Sequence, residues 1–300
     1  MNTSRYYAAG IGAYVIWGFF SFILIPLASY PSLDILFYRV FMCTTLMLII
    51  SVLFRTKVVK SNYEFFLQLS IAQQRSLLLQ LAGGGLFLTG NWFFFIYVVN
   101  HISVQAASFA YLVCPILTTL LSFTFLNEKL NRNQWIAVIM SAISCIILSF
   151  NHVLDVCYSL IIALFFALYI ICQPKQKGLD KFLILTIQVI CSAVLLLPFY
   201  PFSRGTVPAS ASFYTCIFII AVLFTILPLW LNLYALKGLR SSALGILLYI
   251  NPLMNFALAI LYYKEKITSL QALAYFTIFI SVVLFNIRVR TTETKAQINL

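Results

Sequence analysis

One arginine, Arg39, lies deep within an apolar run, with Asp34 about one and a half helical turns before it. A cation in such surroundings can hold the anionic group of a ligand. It can also snorkel toward the end of its run, or pair with Asp34. Further polar and aromatic side chains fall deep in other apolar runs: Trp17, Asn91 with Trp92, Tyr111, Tyr249 and Asn251. Trp17, Tyr111 and Tyr249 sit too deep for an interfacial aromatic belt. Tyr14, Asn232, Tyr234 and Asn255 are of the same kind. Each asparagine is either interhelical glue or a ligand contact.

Two prolines, Pro115 and Pro252, fall near the middle of their runs. In a helix each would remove a backbone donor and free the carbonyl four residues earlier, that of Tyr111 and of Leu248. Such carbonyls must be buried in protein or face a wet cavity, so both prolines are expected to mark helix breaks beside a binding site. Either alone could simply kink a helix for packing.

Several chemistries are missing. There is no GxxxxGK[ST] phosphate loop, and no Asp or Glu deep in a run to relay protons, since Asp34, Glu128, Asp155 and Glu265 sit near run ends. The two histidines, His101 and His152, stand in short connections without HExxH spacing, so catalytic residues, a metal and a cofactor are all expected to be none. The seven cysteines form no CxxC pair and read as small buried hydrophobes.

Something must position these residues. The chain is 63% hydrophobic and 9% charged, against roughly 45–50% and 25% for soluble domains. Runs of about 20 apolar residues recur, each long enough to cross a bilayer core. They lie near 6–27, 33–54, 76–99, 102–125, 132–150, 153–172, 180–200, 213–234, 242–263 and 268–287. Continuous apolarity excludes barrel strands, which alternate in polarity. The expectation is an all-α integral membrane protein of ten transmembrane helices. Membrane lipid is its solvent, it has no nucleic-acid partner, and it is a monomer or homodimer.

The net charge of +12 is a topology signal. With the N-terminus cytoplasmic, 15 of the 19 Lys and Arg fall in cytoplasmic segments, which puts both termini inside. Sliding the chain on itself by 137 residues aligns Tyr97 with Tyr234, Ala106 with Ala243, Pro115 with Pro252, Glu128 with Glu265, Lys129 with Lys266 and Gln134 with Gln271. A mid-run proline followed thirteen residues later by Glu-Lys is hard to obtain twice by chance. The repeat divides the chain into halves, 1–150 and 151–300, each of five helices, and an odd number forces opposite orientations. Inverted repeats are a signature of transporters with a site near the midplane, although duplication also occurs in channels.

The sequence resembles the drug/metabolite transporter superfamily, the EamA type and its RarD-like branch. The resemblance rests on AYVIWG (Ala13 to Gly18), DILFYRV (Asp34 to Val40), GNWFFFIYVVN (Gly90 to Asn100) and two paired segments. These are ASFAYLVCP with FLNEKLNRNQW (Ala107 to Trp135), and ALGILLYINP with YYKEKIT (Ala243 to Thr268). It implies two inverted five-helix halves in a bacterial cytoplasmic membrane. It also implies a secondary transporter, a permease or exporter of small metabolites or drugs, rather than an enzyme. The alternative is a passive channel-like facilitator or a membrane-embedded binding partner. Val113, Cys114 and Pro115 stand where similar proteins often carry Asn-Pro, and FLNE stands in place of the commoner FLGE. The expected substrate-binding set is Trp17, Arg39, Asn91, Trp92, Tyr111, Tyr249 and Asn251.

Overall fold

The computed structural model describes residues 3–27, 29–101, 104–148, 153–173, 179–199, 208, 210–261 and 269–286. His152, Glu265, Lys266 and the side chain of Asn255 lie outside the described residues. Every regular element among the described residues is helical. The first half of the chain holds α1 (Ser4–Gly18), α2 (Phe20–Leu24), α3 (Ser32–Ile49), α4 (Thr56–Gln68), α5 (Ile71–His101), α6 (Val104–Phe125) and α7 (Arg132–Leu148). The second holds α8 (Val153–Ile171), α9 (Lys181–Leu196), α10 (Ala211–Ala221), α11 (Leu227–Ala235), α12 (Ser241–Leu247), α13 (Ile250–Leu261) and α14 (Ser269–Asn286).

Helix occupies each apolar run read from the sequence. Four segments among the described residues, 33–54, 71–95, 181–199 and 211–235, are long and apolar enough to cross a membrane. Five shorter apolar helices accompany them. The outer faces are apolar too: Ile139, Ile143 and Ile146 on α7 and Leu273, Phe276 and Phe279 on α14 are all more than half exposed. Such stripes suit hydrocarbon and not water.

The basic segment after α3 differs from expectation. It is not a loop: α4 is amphipathic, burying Asn62 and exposing Tyr63 and Leu67. Lys57, Lys60 and Glu64 share the outer face with Tyr63 and Leu67, and this mixture interrupts any continuous apolar run.

The packing repeats. Helices α1 and α11 run antiparallel in contact, with Gly238 against Tyr6, Gly10 against Ala235 and Trp17 against Phe224. In the same way α5 and α8 pair antiparallel, with Gly83 on Cys172, Gly90 on Phe165 and Asn91 on Ile162. Contacts of α3 with α10 are matched by those of α9 with α5, and contacts of α6 with α8 by those of α1 with α13. The pairs α3–α9 and α7–α14 map onto themselves. Serines bridge the latter, Ser141 and Ser281 hydroxyls lying 2.8 Å apart.

Gly84 and Gly85 of α5 are what let α9 approach. A methyl group on Gly85 would come within 2.6 Å of Cys191 Cβ and 2.9 Å of the Gln188 carbonyl oxygen. Backbone cannot retreat as a side chain can, so Gly85→Ala is expected to destabilise by about 1–3 kcal/mol through overpacking. A lower melting midpoint in detergent checks it; an unchanged midpoint would mean α5 and α9 separate freely.

Candidate functional site

Arg39 is held by α3, whose neighbouring residues Leu36, Phe37 and Val40 are buried against Ala193 and Leu196 of α9. Arg39 is itself only 7% exposed. Its guanidinium carbon lies 4.5 Å from the ring centroid of Trp92 on α5. Tyr111 of α6 is within electrostatic reach. Nε and Nη2 have no hydrogen-bond partner among the described residues. Asp34, also buried, makes no ion pair with Arg39, and the low exposure excludes snorkelling. A buried cation with two unpartnered donors is costly, and a stack on tryptophan offsets only part of that, about 2 kcal/mol when desolvated.

The structure thus brings together Arg39, Trp92 and Tyr111. Trp17 stands in a second aromatic group of the same core, 5.7 Å from Tyr14 and 5.9 Å from Phe166, which in turn lies 5.9 Å from Tyr169. The hydroxyls of Tyr14 and Tyr169 are buried without hydrogen-bond partners among the described residues, as are both amide atoms of Asn232. Tyr169 is not among the residues singled out from the sequence, although it carries a polar atom in an apolar run of the same kind. Tyr14 and Asn232 were visible as polar atoms in apolar runs.

Other candidates are placed differently. Asn91 Nδ2 donates to the Ile162 carbonyl at 3.0 Å, so this side chain joins α5 to α8. Tyr249 is fully buried in a separate cluster with Leu112, Ala137, Val138 and Ile278. Asn251 is buried beside it in sequence, and its backbone N–H closes a 3.0 Å bond to the Leu248 carbonyl.

The two prolines also part ways. At Pro252 the helix does break, between α12 and α13, and the Leu248 carbonyl it frees takes that tighter bond from Asn251. At Pro115 it does not, since α6 runs through uninterrupted. The Cys145 thiol of the neighbouring α7 donates to the adjacent Leu112 carbonyl at 3.3 Å, one residue past the Tyr111 carbonyl that the proline frees. The expected symmetric pair of breaks is one break and one continuous helix.

A third proline explains Trp17. Pro228, in the first turn of α11, has no N–H to return to the Phe224 carbonyl, and residues 222–226 widen into a π turn. The Trp17 indole N–H donates to that carbonyl at 2.8 Å. Trp17→Phe is expected to lower stability by about 1–3 kcal/mol, the cost of a buried acceptor left alone. Pro228→Ala in the same chain would restore a helical donor. A melting midpoint recovered in the double variant supports this role, and equal losses in both would refute it.

Two polar locks join the halves at the end carrying the basic loops. Arg55 donates to both oxygens of Asp180, at 2.9 and 3.1 Å. Asp180 also caps α9, accepting from the Leu183 N–H, while its own N–H donates to Asn62 of α4. The second lock is Glu128. Asn127 takes φ 52° just past α6, a left-handed position that favours glycine and tolerates asparagine, which is why FLNE serves where FLGE is commoner. The turn returns the Glu128 N–H to the Ser122 carbonyl at 3.2 Å and aims its carboxylate at α12. There it accepts from the Ser241 N–H at 2.9 Å and from the Ser242 N–H and hydroxyl at 3.1 and 2.6 Å, with Arg240 Nε at 3.5 Å.

A surface groove of about 760 Å³ lies at the start of α5, lined by Ile71, Arg75, Leu79, Gln80 and Cys172 among others. It contains none of the candidate residues.

Among the described residues, a purely helical bundle with apolar outer faces and packing that repeats between its halves is the architecture of a multi-pass membrane protein. The chain belongs to the EamA-like transporter family, which it matches over residues 4–150 and again over 154–287. It is similar to "Uncharacterized transporter YojE" of Bacillus subtilis, 30% identical over 276 residues, or 91% of this chain and 90% of that one. It is also similar to "Protein RarD" of Escherichia coli, 26% identical over 281 residues covering 92% and 91% of the two chains. A solved structure described only as "Crystal structure of protein" shares the fold, with a TM-score of 0.70 at 13% identity over 99% of both chains.

Proposed function

We propose that the chain is a secondary transporter that carries a small anionic or zwitterionic metabolite through a site at Arg39, exposing it to each side of a bacterial cytoplasmic membrane in turn. The observation that carries this reading is the buried guanidinium with its unpartnered Nε and Nη2, on the helix that packs against α9 of the other half. A charge kept at such cost within a span is a functional group by default.

The rest of the reading follows from topology and the locks. Ten crossings in two opposed halves, near 1–150 and 151–300, place both termini in the cytoplasm. Both locks then lie on the cytoplasmic side, and each ties a first-half element to a second-half one: Arg55 to Asp180 and Glu128 to α12. Breaking them would open that side while α3 and α9 keep the site between the halves. Transport, not chemical change of the cargo, is the output.

Counterflow tests it. Proteoliposomes preloaded with unlabelled amino acids, aromatic acids or amphenicols are diluted into the same labelled compound, and transient accumulation is followed. Trans-stimulated uptake of at least one compound is expected. Flux without trans-stimulation would instead identify a passive facilitator and overturn alternating access.

A further inference from the structure

Resting on the reading that the cargo passes Arg39, we infer that the cargo carries a single carboxylate, taken side-on by Nε and Nη2 with both oxygens in the guanidinium plane. Which donors are buried without a partner decides this. Nη2 is the terminal nitrogen on the same edge as the Nε–H, so the two donors that are buried without a partner are adjacent and parallel. That edge matches two coplanar oxygens, which an Arg fork binds through paired bonds of about 2.7–2.9 Å. A chloride ion or an alcohol leaves one donor empty.

The plane is not free to turn. Trp92 lies under the guanidinium at 4.5 Å, and the adjoining Phe37 and Val40 are buried against α9. Trp92 therefore acts as a positioning residue: it fixes the plane in which the carboxylate must arrive.

Charge selects between carboxylate and phosphate. Among the described residues, Lys181 is the only other buried Lys or Arg, and it stands at the first residue of α9, twelve residues before the Ala193 that meets α3. A carboxylate brings one negative charge and neutralises the site. A phosphomonoester brings about −1.5 to −2 and would leave part of its charge buried without a partner. Lysine is not a substitute, because its ammonium is a point charge without the fork.

The test is ligand-induced thermal stabilisation of the full-length protein in detergent. The probes are a panel of aliphatic, aromatic and α-amino monocarboxylates, their primary amides, the corresponding phosphomonoesters and sodium chloride. At least one carboxylate is expected to raise the wild-type midpoint, with its amide and phosphomonoester at least ~10-fold weaker. Arg39→Lys is expected to weaken that carboxylate at least ~10-fold, and Arg39→Gln to abolish the shift. Trp92→Leu should weaken binding and Trp92→Phe restore most of it, while both elute as monodisperse protein.

Opposite outcomes separate the two readings. A carboxylate that still stabilises Arg39→Gln would remove Arg39 from the site and the proposed function with it. A carboxylate lost in Arg39→Gln but kept in Arg39→Lys would leave an anion site standing and overturn the side-on fork. Stabilisation by phosphomonoesters or chloride in preference to carboxylates, or by no carboxylate at all, would overturn the carboxylate assignment.

Discussion

Arg39→Gln is expected to cut transport of the true cargo at least ~100-fold while raising the melting midpoint of the empty protein. Two charge-assisted hydrogen bonds at about 1.5–3 kcal/mol each set the first figure, since ~1.4 kcal/mol is a factor of ten. The second follows from the same site seen without cargo. There Arg39 is 7% exposed with two unpartnered donors, and a neutral amide of smaller size removes that desolvation cost. Opposed signs matter because a merely structural arginine would lose stability and transport together. Proteoliposome uptake and a detergent melting curve on the same preparation measure both. Unchanged transport would sink the assignment of Arg39, and a lowered midpoint would show that Trp92 and Tyr111 already satisfy it.

Arg39 was legible because charge is rare in these runs, and a lone cation declares itself without any knowledge of packing. Its company was legible only as a set of types, in which Trp92 and Tyr111 stood undistinguished from Trp17, Asn91, Tyr249 and Asn251. Trp92 and Tyr111 face it because of how α5 and α6 are rotated about their axes, and rotation leaves little trace in runs that are apolar all round. For the same reason Tyr249, an equally good candidate by depth and type, turns out to face α7 and α14 in another cluster. Asn91 is committed to Ile162 for a cause that is also tertiary: Gly90 admits Phe165 and draws α8 close enough for the bond.

The prolines show where a sound rule needs neighbours to finish it. The same lost donor gives a continuous helix at Pro115 and a break at Pro252. In the second case Gly245, about two turns earlier, brings α12 so close to α6 that an added methyl would lie 2.7 Å from Thr118 Cβ. Pro228 obeyed the rule as well, and its freed carbonyl could have been paired with Trp17 only by knowing that α1 and α11 run antiparallel. The amphipathic α4 and the lock it helps to build were hidden behind a pattern of charges that reads equally well as a loop.

The Glu128 lock carries the second large effect. Its carboxylate serves three donors of Ser241 and Ser242 from the opposite half, so Glu128→Ala leaves two backbone N–H groups and one hydroxyl without it. At about 1–3 kcal/mol for each buried orphan, discounted for the water available at this end, the closed arrangement loses about 2–4 kcal/mol. Two states of a carrier differ by only a few kcal/mol, so a loss of that size reverses their populations. Cys114 reports the change. It is 1% exposed, eleven residues before the end of α6 and so about 16 Å deep. In a chain whose other cysteines are serine, a membrane-impermeant maleimide added from the cytoplasmic side should label Cys114 at least ~10-fold faster after Glu128→Ala, the rate following the open population. Arg55→Gln should act in the same direction through the other lock, because it strips Asp180 of both guanidinium bonds. A fall in melting midpoint with no gain in labelling would make Glu128 a cap for α12 and nothing more, and the cytoplasmic gate would have to be sought elsewhere.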